Sequence, residues 1–322
     1  MAVHELERDV VKVGIVGAGS IGVAFAIVFA RAGWAVKIHD PDAARRAVVI
    51  DEVMARAAGL AAFDLLDETP QALAQRILVV DTLEEVVRDV ALVQECAPER
   101  VELKRALFAQ FDVLAPADAI FASASSALPA SSYAGELAGR GRCLVAHPGN
   151  PPYLIPVIEI VPARFTTRAA ADRAQALYAQ AGLVPVRVKK EVEGFVFNRL
   201  QGAVLREAYC LVRDGVASVD DIDRVIRDGL GLRWSVIGPF ETVDLNTRGG
   251  IESHAQKMGP AYERMGAERG QHDPWTPELV AEVAAARRAA LPLDKWEARV
   301  AWRDQKLMRL LCDRKKQDKE TR

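Results

Sequence analysis

The segment Gly17-Ala18-Gly19-Ser20-Ile21-Gly22 constrains this chain most, because it joins a short β-branched run, Val11–Val16, to a helix-like stretch that continues through Phe29. Each glycine answers a separate steric demand: Gly17 permits the tight turn, Gly19 lets backbone approach a pyrophosphate, and Gly22 allows close helix–strand packing. The phosphates then sit at the helix N-terminus, on the amides around Ser20 and Ile21. Asp40 closes the next run, Ala35–His39, about 20 residues on, where a carboxylate accepts hydrogen bonds from the adenosine ribose and repels a 2′-phosphate. The motif therefore predicts NAD in preference to NADP. A capping aspartate ahead of Pro41 is the competing reading of Asp40, and it leaves the third glycine and the spacing without a purpose.

The first half of the chain alternates β-branched runs with helix-like stretches, the pattern of a parallel sheet covered by helices on both faces. Strands are expected at Val11–Val16, Ala35–His39, Ile77–Val80, Ala91–Gln94, Ala119–Ala122, Cys143–Ala146, Val157–Val161 and Val184–Val188. From Gly194 onward the pattern is almost purely helical, with Phe195, Leu200, Val204, Leu205 and Leu211 at helical spacing and Ser218 opening another helix. The expectation is an α/β chain: a Rossmann-type doubly wound sheet over residues 1–193, then a smaller all-helical domain over 194–322 for substrate and dimerisation. Trp296–Leu311 reads as an amphipathic helix, followed by a charged tail.

Composition excludes several partners. Lys plus Arg number 42 against 44 Asp plus Glu, a net charge of -2, which offers no basic field to nucleic acid or anionic membrane. Four cysteines, Cys96, Cys143, Cys210 and Cys312, stand far apart without a CxxC pair, so neither a metal site nor a disulfide framework is expected. No apolar leader opens the sequence and no span-length apolar stretch follows, which leads us to expect a cytoplasmic protein acting on a small molecule.

The run Leu144-Val145-Ala146 leads into His147-Pro148-Gly149-Asn150, placing a histidine at the carboxyl end of the sixth strand. Open α/β sheets form their ligand crevices on that edge. An imidazole titrating near neutrality is a natural base for a hydroxyl proton as hydride leaves the same carbon. Glu159 ends the apolar run Ile155–Ile158, where an unpaired carboxylate is costly. It is expected either to orient His147 and stabilise its charged form or to pair with an arginine elsewhere.

Longer segments carry a resemblance: VQECAPERVELK at 93–104, FASASSALP at 121–129, HPGNPPYLIPVIEIVP at 147–162, GFVFNRLQ at 194–201, GLGLRWSVIGPFETVDLN at 229–246 and WRDQKLMRL at 302–310. With the glycine turn they make nearly the whole chain resemble the L-3-hydroxyacyl-CoA dehydrogenase superfamily, most closely its lambda-crystallin/L-gulonate 3-dehydrogenase branch. The resemblance implies an NAD-dependent L-3-hydroxy acid dehydrogenase acting at C3 as a C2 homodimer. It assigns catalysis to Ser126, His147, Glu159 and Asn198, and adds Glu99 and Lys104 to the cofactor contacts. Ser125, Asn150 and Arg233 are the candidate substrate contacts. Arg233 could fork onto a carboxylate or be structural, stacking on Trp234 or bridging subunits, Ser125 or Ser126 could cap a helix, Asn198 could be a surface residue, and Glu99 and Lys104 could be solvent-facing helix pairs.

Two departures bear on substrate. Hydroxyacyl-CoA dehydrogenases carry two phenylalanines where this chain has Pro148 and Gly149, and a lysine-rich helix where Val48 to Leu66 is mostly apolar and acidic. Both favour a polar free acid over a CoA thioester. Gly149 also stands where the gulonate branch carries valine, which leaves pocket size open. A hydroxyacyl-CoA or diketo-ester dehydrogenase, and a non-catalytic NAD-binding crystallin-like protein, are the alternatives.

Overall fold

The computed structural model describes residues 10–235, 238–246, 250–270 and 292–320, with scattered positions between 278 and 289. All eight β-branched runs form strands of one sheet: β1 Lys12–Val16, β2 Ala35–His39, β3 Ile77–Val79, β4 Leu92–Glu95, β5 Ile120–Ser123, β6 Cys143–Pro148, β7 Val157–Pro162 and β8 Val184–Arg187. Their order is β3-β2-β1-β4-β5-β6-β7-β8. The order reverses between β1 and β4, which opens a crevice at the carboxyl ends of those two strands.

The sheet departs from the expected parallel arrangement at β7, which pairs antiparallel with β6, and β8 follows β7. The cause is the connection. Only residues 149–156 separate β6 from β7, and a parallel return needs a crossover of about a dozen residues or more.

Helices cover both faces. Helix α1 (Ser20–Arg31) is buried continuously from Gly22 to Ala30 and, with α2 (Ala43–Ala61) and α4 (Arg168–Gln180), packs one face around Phe25, Phe29, Trp34 and Tyr178. Helix α3 (Val101–Leu114) packs the other, where Phe108 and Phe111 meet Phe121 edge-on. Each such aromatic contributes burial worth roughly 1.5–3 kcal/mol.

The chain divides into two units, one holding residues up to Arg199 together with those from Ala301, the other Leu200–Val300. The division therefore falls a few residues after the expected 193, inside α5 (Phe197–Arg213). Residues from Ala301 on, expected in the helical domain, group with the sheet. In α6 (Trp296–Glu320) Met308 is buried in the first unit's core, Arg309 lies over Phe63, and Lys315 pairs with Asp67 at 2.8 Å.

The described residues of the second unit are mainly helical. Ser218 caps the helix Val219–Arg224 through the Asp221 amide, and Arg269 pairs with Glu207 and Asp214. Among the described residues, no helix is long and apolar enough to cross a membrane.

Candidate active site

The glycine turn has the shape its spacing foretold. Gly17 adopts φ +101° and donates its amide to His39 O at 2.8 Å. A Cβ there would lie 2.7 Å from the Cys96 carbonyl, and one at Gly22 would lie 1.9 Å from Gly17 O, so chain packing excludes a side chain at both. A Cβ on Gly19 would meet nothing within 4 Å. Its space is left open on the outside, where a pyrophosphate fits. Helix α1 has no side-chain cap and no acid in its first turn, so among the described residues no side chain competes for the amides that Ser20 and Ile21 present. These features suit NAD.

Asp40 lies at the end of β2. One of its oxygens accepts from Ala18 N at 2.8 Å and the other from Asp42 N at 3.0 Å, while Asp42 caps α2. Asp40 thus ties the glycine turn to the second strand instead of capping the helix.

The strand-end loops after β4 and β5 rest on a buried network that sequence reasoning missed. Lys104, expected to contact the cofactor, is 1% exposed and gives its ammonium to Glu95 at 2.7 Å and to Ser123 Oγ at 3.2 Å. Ser123 donates to the same carboxylate, and Glu95 also accepts from Ala97 N at 2.7 Å. A signal was present: an acid closing the apolar run Leu92-Val93-Gln94-Glu95 demands a partner as Glu159 does.

Above this network Glu99 accepts from Ser125 Oγ, from Ala127 N at 2.7 Å and from Leu128 N at 3.2 Å. Burial opposes its charge, but the bonds from Ser125 and from the Ala127, Leu128 and Ser126 backbone outweigh it and hold the carboxyl below its ordinary range. Ser125, expected to touch substrate, is buried and uses its hydroxyl inside this loop. Among the described residues the Ser126 hydroxyl makes no hydrogen bond.

His147 and Glu159 stand directly opposite each other in the β6–β7 ladder. Both are buried, and His147 Nδ1 lies 2.7 Å from Glu159 Oε2. Glu159 Oε1 accepts from Val196 N at 2.7 Å and Phe197 N at 3.0 Å, at the start of α5. A carboxylate so held accepts the hydrogen bond from Nδ1–H and leaves Nε2 as the acceptor. Phe197 meets the imidazole edge-on at 6.2 Å, and Phe195 packs at 5.7 Å. Asn198, on the same first turn, donates to Ser126 O at 3.1 Å, which joins the α5 start to the β5 loop.

Asn150 is exposed in the loop beyond His147. A Cβ on Gly149 would lie 2.5 Å from an Ile155 methyl, so a valine there requires Ile155 to shift. Arg233 lies on the exposed turn Gly231–Trp234 of the second unit.

A doubly wound sheet with this dinucleotide turn, and a histidine paired to a carboxylate on the same edge, defines an NAD-dependent oxidoreductase acting on a hydroxyl group. The 3-hydroxyacyl-CoA dehydrogenase NAD-binding domain matches residues 12–192 and the C-terminal domain of the same enzymes matches 194–290, so the chain belongs to the 3-hydroxyacyl-CoA dehydrogenase family. Among its relatives, the lambda-crystallin homolog of Bos taurus is 42% identical over 92% of this chain and 94% of its own. The L-carnitine dehydrogenase of Streptomyces griseus is 41% identical over 84% of this chain and 79% of its own. Among solved structures, 5-formyl-3-hydroxy-2-methylpyridine 4-carboxylic acid 5-dehydrogenase, an NAD+-dependent dismutase, superposes with a TM-score of 0.81 at 27% identity, covering 94% of this chain and 97% of that one.

Proposed function

We propose that this enzyme oxidises the C3 hydroxyl of a polar, free L-3-hydroxy acid of the L-gulonate type, with His147 as the base. The observation that carries this reading is the 2.7 Å bond from His147 Nδ1 to Glu159 Oε2, because it commits one ring nitrogen and leaves the other for the substrate proton. His147 Nε2 takes that proton as the C3 hydride departs and the C–O bond becomes a carbonyl. Glu159 balances the imidazolium, and the amides of Val196 and Phe197 hold Glu159 in place. Ser126 Oγ and the second amide hydrogen of Asn198 donate to the substrate oxygen, stabilising the charge that develops there. NAD+, when bound at the glycine turn, is the hydride acceptor.

Several features support a free acid. Pro148 and Gly149 give little apolar bulk beside the base, and L-carnitine, the substrate named for one relative, is itself a free 3-hydroxy acid. This reading offers Asn150, in the loop beyond the base, to the polar substrate. It also has the enzyme working as a C2 homodimer in the cytoplasm.

The test is an NADH-fluorescence screen of free L-3-hydroxy acids, L-gulonate and L-carnitine included, against their CoA thioesters. At least tenfold higher kcat/KM for a free acid is expected, a difference of about 1.4 kcal/mol in transition-state binding. Preference for a thioester overturns the substrate class, and NADH binding without turnover of either points to the non-catalytic alternative.

A further inference from the structure

Two arginines follow Asp40 in the first turn of α2, Arg45 and Arg46. In this fold an aspartate at the end of the second strand selects NAD, whereas a nearby arginine accommodates the 2′-phosphate of NADP. The chain carries both groups side by side. Something must keep the arginines from undoing the aspartate's choice.

The hydrogen bonds around the turn supply it. Arg45 Nη1 lies 2.6 Å from Glu52 Oε1, one helical stretch further along α2. Arg45 Nε donates to Ala18 O at 3.1 Å, and its Nη2 reaches the same carbonyl. The other Glu52 oxygen lies 3.4 Å from Arg56 Nη2, and Arg56 Nη1 donates to Ser20 O at 3.0 Å. One carboxylate therefore gathers two guanidiniums that grip the carbonyls on either side of Gly19. The bond from Arg45 holds the Glu52 carboxyl below its ordinary range, so it is ionised at neutral pH. Glu52 in turn strengthens the charge on Arg45, with smaller contributions from Asp40 and Asp42. Arg46 is held separately, by Asp81 at 3.0 Å and by Asp40 O at 2.8 Å.

We propose that Glu52 is a specificity-determining residue for the dinucleotide. By fixing Arg45 to the glycine turn, it withholds from a 2′-phosphate the guanidinium that stands beside Asp40. Asp40 repels the phosphate and Glu52 removes its partner. Loss of Asp40 alone then leaves Arg45 tied down, whereas loss of Glu52 as well leaves it held by the Ala18 carbonyl alone, with Nη1 released to turn towards a 2′-phosphate.

The experiment measures equilibrium dissociation constants of NADH and NADPH by nucleotide fluorescence on the full chain. It compares the unsubstituted protein, Glu52→Ala, Asp40→Ser, Asp40→Ser/Glu52→Ala, and that double variant with Arg45→Met added. The proposal expects the double variant to bind NADPH at least tenfold more tightly than Asp40→Ser, and Arg45→Met to abolish the gain. It is overturned if adding Glu52→Ala to Asp40→Ser brings no gain, if the gain survives Arg45→Met, or if NADH and NADPH affinities fall together. Thermal melts of each variant confirm that folded protein is compared. The importance of Asp40 is read separately, from the unsubstituted protein against Asp40→Ser.

Discussion

The imidazole of His147 has one nitrogen engaged and one available, and that asymmetry decides what a substitution does. Glutamine at 147 can keep a hydrogen bond to Glu159 but has no basic nitrogen. His147→Gln should lower kcat by about a hundredfold or more, while NADH titration gives an unchanged dissociation constant, since the glycine turn and Asp40 are untouched. Near-normal turnover would remove His147 from the proton path. Glu99 tests the loop that presents Ser126. Its carboxyl, at the solvent edge, is held below the ordinary range although partial desolvation opposes its charge, chiefly by Ser125 and the Ala127 and Leu128 amides. A group whose folded pKa is depressed stabilises the fold above its unfolded value, about 4.3, and loses that contribution as pH falls through the folded value. Glu99→Gln should therefore be less stable than the parent in urea at pH 7, by about 0.5 kcal/mol once solvent screening of so exposed a carboxylate is allowed for. The gap should close below about pH 4; a gap independent of pH would mean that the charge is not what matters.

Among the elements, the β6–β7 hairpin does most to build the site, because antiparallel pairing puts His147 and Glu159 at one rung of the ladder. All eight strands could be read from the sequence, since β-branched runs bounded by turn residues leave little choice. Strand direction was not read, although the shortness of 149–156 contained it. Glu159 was legible because a buried acid needs a partner, and the same logic applied to Glu95 would have revealed the destination of Lys104. The amides of Val196 and Phe197 could not be anticipated, because backbone donors leave no mark on side-chain identity. Helix α5 raises a separate expectation. Leu200 is 61% exposed and Leu205 37%, on a helix whose apolar residues share one face, and such a face on an isolated chain marks an interface. Sedimentation at micromolar concentration should show a dimer, and Leu205→Glu should shift it to monomer. A parent protein that sediments as a monomer removes the dimer from the reading.

Across the whole molecule, the order of residues along the chain differs from the order in which they pack. Leu200–Val300 separates the sheet from the helical segment that completes its unit. Met308 is 7% exposed against that unit's core, near Gly59. Met308→Ala should lower stability by about 2 kcal/mol or more, read from the urea midpoint; no change would mean that the final segment is only loosely attached. This arrangement also matters during synthesis. The sheet leaves the ribosome before its last helix has been translated, and at about 5–20 residues per second the intervening stretch takes on the order of ten seconds. Throughout that delay the seat of Met308 faces water, so a nascent chain of this enzyme offers an apolar patch to holdase chaperones, and to neighbours on the same polysome, that the finished protein does not.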